Sequence, residues 1–79
     1  MKYTDKIKRF VETSNGRYEA PDGMVPSNNI ATAKFEEEEY AILFVEELEE
    51  KDIPCSFNYE SFDTNVVYFN ESILAEILL

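Results

Sequence analysis

The chain has no histidine, no tryptophan, one cysteine and two glycines. Each shortage closes off a class of chemistry. Without histidine there is no imidazole general base, so Ser-His-Asp and Cys-His arrangements are absent. With Cys55 as the sole thiol and no imidazole, the common zinc sites cannot be assembled and no intramolecular disulfide can form. Gly16 and Gly23 are too few for a phosphate-cradling loop or a dinucleotide-binding turn. No apolar run approaches the roughly 18 residues that suggest a membrane span. The N-terminal MKYTDKIKRF lacks the apolar region of a secretion signal, and a lone thiol suits a reducing compartment. The acids are numerous, but no calcium-loop spacing organises them. These absences predict a soluble, cytoplasmic protein that is not an enzyme, holds no metal or cofactor and does not enter a membrane.

What is present argues for a folded domain. Hydrophobic residues make up 44% of the 79 positions, with five tyrosines and six phenylalanines. That composition is too apolar for a disordered acidic tail. Residues 1–79 form one domain, near the size at which burial and chain entropy almost cancel. Good packing or self-association must supply the difference, and a homodimer is expected.

The net charge of −10 is unevenly spread. Residues 1–17 carry five cations against Asp5 and Glu12, a net +3, and residues 18–34 net −1. Residues 35–79 carry thirteen acids against Lys51 alone, a net −12. Such a field repels nucleic acid and attracts a basic protein surface.

The hydrophobic pattern predicts an α+β fold: a small antiparallel sheet packed by three helices. Ile7, Phe10 and Val11 share one helical face, so a basic amphipathic helix runs over about 4–14, with Thr4 as its N-cap and Gly16 in the left-handed position after it. Residues 17–29 hold two prolines, a glycine and a Pro-Asp-Gly turn signal, and read as a loop with a short extended piece near Arg17–Ala20. IATAKF, residues 30–35, reads as an edge strand with Ala31, Ala33 and Phe35 on one side. A long helix over about 36–51 stops before Pro54. A β-hairpin over 55–69 follows, with Cys55, Phe57 and Tyr59 alternating on the buried side and a turn at residues 61–65. Asn70 then caps a last helix over 71–79.

The long helix carries the least ordinary pattern. FEEEEYAILFVEELEEKD, residues 35–52, contains eight glutamates. On a helical wheel Tyr40, Ala41, Phe44, Val45 and Leu48 form a core-facing arc. Ile42 and Leu43 fall instead among the acids. The glutamates of the first turn suit the helix dipole, but Glu46, Glu47, Glu49 and Glu50 occupy the end where cations are favoured. Like charges one turn apart each cost about 0.2–0.5 kcal/mol. Local violations of this kind mark functional surface, and an apolar pair ringed by charge resembles the centre and rim of a protein interface. Glu36, Glu39, Ile42, Leu43, Glu46, Glu47 and Glu50 are therefore the candidate partner-binding residues. The bland reading is a solvated face that keeps a small protein soluble. The last helix is apolar nearly all round, which makes Ile73, Leu74, Ile77 and Leu78 the candidate dimer interface.

In size, charge and lack of catalytic signature the chain resembles the small acidic accessory proteins of phages and mobile elements. No motif carries that resemblance, so no residue roles transfer with it. It implies an inhibitor that binds a host defence protein of the restriction, CRISPR or DNA-modification type, by steric occlusion or by imitating the phosphates of DNA. The rival readings are a structural homodimer whose acidity serves solubility, and a weak nucleic-acid-binding regulator using the basic N-terminal helix, with Lys2, Lys6, Lys8, Arg9 and Arg17 as its cations.

Overall fold

The computed structural model describes residues 2–21, 29–61 and 64–78. The elements run α1 (Lys2–Thr13), β1 (Arg17–Glu19), β2 (Ile30–Phe35), α2 (Glu38–Glu50), β3 (Cys55–Ser61), β4 (Thr64–Asn70) and α3 (Glu71–Leu78). This is the expected α+β globule, three helices and a four-stranded antiparallel sheet ordered β1-β2-β4-β3. Because β4 pairs antiparallel with both neighbours, β2 and β3 run parallel with β4 between them. The helix α2 connects those two strands. The Pro-Asp-Gly turn and most of the 17–29 loop lie outside the described residues, as do the two residues at the tip of the hairpin.

Strand periodicity sets the core. Across the sheet Tyr18 opposes Ala33, Ala33 opposes Val67, and Val67 opposes Phe57. One row along, Ala31 opposes Phe69 and Phe69 opposes Cys55. All of these side chains belong to or pack against one hydrophobic cluster, which also takes Ile7 and Val11 from α1, Ala41, Phe44 and Leu48 from α2, and Leu74 from α3. The expected facing of residues 30–35 holds: Ala31, Ala33 and Phe35 are buried and Ile30 is exposed. The expected edge position of that strand does not. The short extended piece at residues 17–19 pairs with β2 and takes the edge itself.

Both long helices end in the same way. At α1, Gly16 N–H donates to Val11 O (3.0 Å) and Asn15 N–H to Glu12 O (3.0 Å). At α2, Ile53 N–H donates to Leu48 O (3.0 Å) and Asp52 N–H to Glu49 O (3.0 Å). These are paired Schellman bonds, which need a left-handed residue just past the helix. Asn15 (φ 68°) and Asp52 (φ 57°) fill that position, and Gly16 has no positive φ. The expectation that Gly16 is the left-handed residue is therefore corrected by one position. Gly16 is small for another reason: a Cβ there would stand 2.7 Å from Phe35 Cε2 and 3.0 Å from Val11 Cγ1. Thr4 is likewise not the N-cap, since the helix already runs from Lys2. An amphipathic stripe fixes a helix's buried face better than its first residue.

The cap expected at Asn70 is present. Its Oδ1 accepts from Ser72 N–H (3.0 Å) and Ile73 N–H (3.2 Å). Glu71, the first residue of α3, is buried, accepts a hydrogen bond from Tyr18 Oη and donates its own N–H to Asn29 O (2.8 Å). Asn65, expected in the hairpin turn, instead lies buried within β4, where its Nδ2 donates to Phe35 O (3.2 Å). Its Oδ1 is buried with no hydrogen-bond partner among the described residues.

Two stability predictions follow from this packing. Gly16→Ala should destabilise by about 1–3 kcal/mol through overpacking against the buried Phe35 ring, while Asn15→Gly should be neutral or stabilising because glycine adopts the left-handed conformation freely. Urea denaturation of the two variants measures this, and the opposite ranking would refute it. Phe44→Ala should cost about 3–5 kcal/mol, the usual range for emptying a buried aromatic site, and Phe44→Leu distinctly less. Equal midpoints for wild type and Phe44→Ala would contradict the central placement of that ring.

Candidate functional site

The chain enters α2 through a bend rather than a helical turn. Phe35 ends β2 with its ring buried, Glu36 and Glu37 form the bend, and Glu37 is the N-cap, with extended backbone and no side-chain capping bond. The helix then packs Ala41, Phe44 and Leu48 onto the sheet. With those three inward, a period of 3.6 residues turns Glu39, Ile42, Leu43, Glu46, Glu49 and Glu50 to solvent. All six are exposed, Ile42 at 41% and Leu43 at 54% of their full surface.

The seven residues singled out from sequence therefore separate. Glu39, Ile42, Leu43, Glu46 and Glu50 lie together on the outer face. Glu47 sits on the flank towards α1, half-buried, 3.8 Å from Lys51 Nζ. Glu36 is not on the helix and instead lines a shallow polar cleft with Arg17, Lys34, Glu37 and Thr64. Tyr40, expected in the core arc, is 37% exposed at its edge. It lines a hollow with Thr13, Ser14 and Asn15 at the end of α1. Glu49 belongs to the face and was not singled out, although its spacing of seven from Ile42 was available in the sequence.

The face is electrostatically one-sided. Among the described residues, none of Glu38, Glu39, Glu46, Glu49 and Glu50 forms an ion pair, and α2 has no basic residue in its last turn. Lys51, just beyond the helix, lies 5.9 Å from the centroid of the Phe10 ring and so leans away from the outer face. Glutamates one turn apart stand about 5–6 Å from each other at Cβ, so Glu46 and Glu50 repel without a compensating cation.

The residues proposed from sequence as a dimer contact are rearranged more severely. Leu74 is wholly buried in the core of the single chain and is not available to a partner. Ile73 and Leu78 are half-buried against the same core, and Ile77 alone of the four is exposed, at 45%. The apolar girth of α3 is covered by α1, which packs along it.

Among the described residues no group of three or more cysteine, aspartate and glutamate side chains is placed to hold a metal ion, and no helix is long and apolar enough to cross a membrane. Cys55 packs half-buried against the core. Burial pushes its thiol above the ordinary range and the negative charge of Glu49 adds to the shift. A raised thiol stays protonated at neutral pH, and the thiolate is the reactive form. Iodoacetamide should therefore modify Cys55 more slowly in the folded protein than in urea, and Glu49→Gln should speed the folded reaction modestly. Equal folded and unfolded rates would exclude this environment.

No family model, curated protein or solved structure matches this chain.

Proposed function

We propose that this chain is a non-catalytic protein-binding domain whose α2 outer face docks on a basic surface of a host protein and inhibits it. The observation that supports the reading most is the exposure of Ile42 and Leu43 on either side of a ridge of glutamates, Glu39, Glu46 and Glu50, that form no ion pairs among the described residues. An apolar pair exposed on a small domain loses about 25 cal/mol for each Å² it leaves in water. Contact with a partner recovers that loss. The glutamates speed encounter with a basic surface and make it salt-dependent.

Small size, acidity and the lack of histidine favour an accessory inhibitor acting in a bacterial cytoplasm, with a DNA-handling defence protein as the target class. Two mechanisms fit the face. In one, Ile42 and Leu43 form the energetic centre and the glutamates steer. In the other, Glu39, Glu46 and Glu50 occupy phosphate positions in a DNA-binding groove and the apolar pair is incidental.

Affinity capture from bacterial lysate at low and moderate salt tests the reading, with Glu39/Glu46/Glu50→Lys run beside wild type and both shown folded by circular dichroism. One dominant partner that is lost in the charge-reversed variant is expected. Capture of nothing, or of the same proteins by both, would reduce the face to a solubility feature. With the partner in hand, Ile42→Ala/Leu43→Ala should weaken binding by about tenfold or more if the apolar pair is the centre. Glu→Gln changes should do so instead if the glutamates imitate phosphates.

A further inference from the structure

The helices α1 and α2 do not lie against each other along their length. α1 packs on α3 and β1, whereas α2 packs across β2, β3 and β4. Between them runs a groove of about 330 Å³ lined by Lys6, Arg9, Phe10 and Thr13 of α1, Glu47 of α2 and Leu78 of α3. It continues past Thr13 and Ser14 into a second hollow lined by Leu43, Phe44 and Tyr40. The floor is apolar. One wall is basic: Lys6 and Arg9 are exposed and form no ion pair among the described residues. The other wall is acidic: Glu47 lines it, 3.8 Å from Lys51 Nζ, and the exposed Glu50 follows three residues further along α2.

We propose that this groove takes a second copy of the chain, as a two-fold dimer in which the basic α1 of each protomer faces the acidic α2 of its partner. A surface with a positive wall, an apolar floor and a negative wall is complementary to itself after a half-turn about an axis through the floor. Leu43, at the rim of the groove and the most exposed large hydrophobic side chain described, lies near that axis and packs into the partner's groove. The alternative contact through α3 has little to offer, since among its described residues Ile77 is the one exposed large hydrophobic side chain. Two chains of net charge −10 repel at long range. At 0.15 M ionic strength the Debye length is about 8 Å, which screens that repulsion while leaving contact pairs largely intact.

The experiment is sedimentation velocity from micromolar to near-millimolar protein at physiological salt. Wild type should dimerise reversibly, and Leu43→Ser should weaken association about tenfold or more. Two charge variants give the specific test. Lys6→Glu/Arg9→Glu makes both walls acidic, and Glu47→Lys/Glu50→Lys makes both basic. Each alone should be monomeric and folded by circular dichroism, and an equimolar mixture should restore a dimer. A wild-type monomer throughout, a dimer abolished by Ile77→Glu but untouched by the groove variants, or folded variants that stay monomeric when mixed would each overturn the proposal. Lys6→Glu/Arg9→Glu leaves the α2 outer face intact, so capture of a host partner by that variant reports on the proposed function separately.

Discussion

The ring of Phe44 is the contact on which the rest of the molecule depends. It meets Phe10 of α1 at 5.6 Å between centroids, Phe35 of β2 at 5.3 Å and Phe69 of β4 at 5.7 Å, all tilted or edge-on. Such geometries suit the ring quadrupole and add roughly 0.5–1.5 kcal/mol per pair beyond burial. One side chain thus ties together four elements distant in sequence, in a domain with no disulfide to do so. It also fixes the rotation of α2. With Phe44 inward, Leu43 and Ile42 have no choice but to face outward, on either side of an acidic ridge. The exposure of the apolar pair is therefore a consequence of how the core is filled, and Gly16 is part of the same arrangement because it clears space for Phe35 beside it.

The helix ends show a second constraint, on direction. Leu48 and Ile53 are both buried, and they occupy the two positions of a Schellman motif between which a hydrophobic contact is common. The motif reverses the chain at Asp52 and delivers Pro54 and Cys55 to the outer side of β4. A tight reversal is what allows α2 to lie across the strands it joins. Asparagine and aspartate tolerate the left-handed conformation better than other non-glycine residues, and both termini use them. The acids of α2 lose nothing by this arrangement, because the turn leaves Glu46, Glu49 and Glu50 in solvent.

Local periodicity made much of this fold legible. The alternation in residues 30–35 and 55–58 and the helical stripes of Ile7 with Val11 and Phe44 with Leu48 are properties of short segments, and they hold in the structure; the side chain of Tyr59 lies outside what the structure describes. What was not legible depends on partners far away in the chain. Nothing within IATAKF tells that Arg17–Glu19 will pair beside it and make it central. Nothing within ESILAEILL tells that α1 will cover Leu74. An apolar helix reads the same whether its cover is its own chain or another. Asn65 illustrates the same limit: it looks like a turn residue, but its amide bonds the Phe35 carbonyl thirty positions away and secures the end of the β2–β4 pair. The candidate face was legible as far as helical spacing reaches. It failed at Glu36, where a bend replaced the first turn, and at Glu47, whose flank became visible only once α1 was placed.

The two surfaces proposed here share Leu43, and this links them. A protomer whose Leu43 is seated in the groove of a second copy cannot offer it to a host protein. Only the monomer is then competent for the target, and the apparent dissociation constant rises in inverse proportion to the competent fraction. The linkage is reciprocal: a target that consumes the face must dissociate the dimer. It also gives the charge asymmetry a physical role. In the proposed dimer the basic residues of α1 compensate for the acids of α2 between chains, where the two walls face each other, whereas within a chain the groove holds them apart. The same acids thus have two possible cationic neighbours, the α1 of a copy and the basic surface of a target, and the copy brings a net charge of −10 with it while the target does not. Electrostatics by itself then ranks the target above the copy, and the apolar seat of Leu43 is what self-association has in addition.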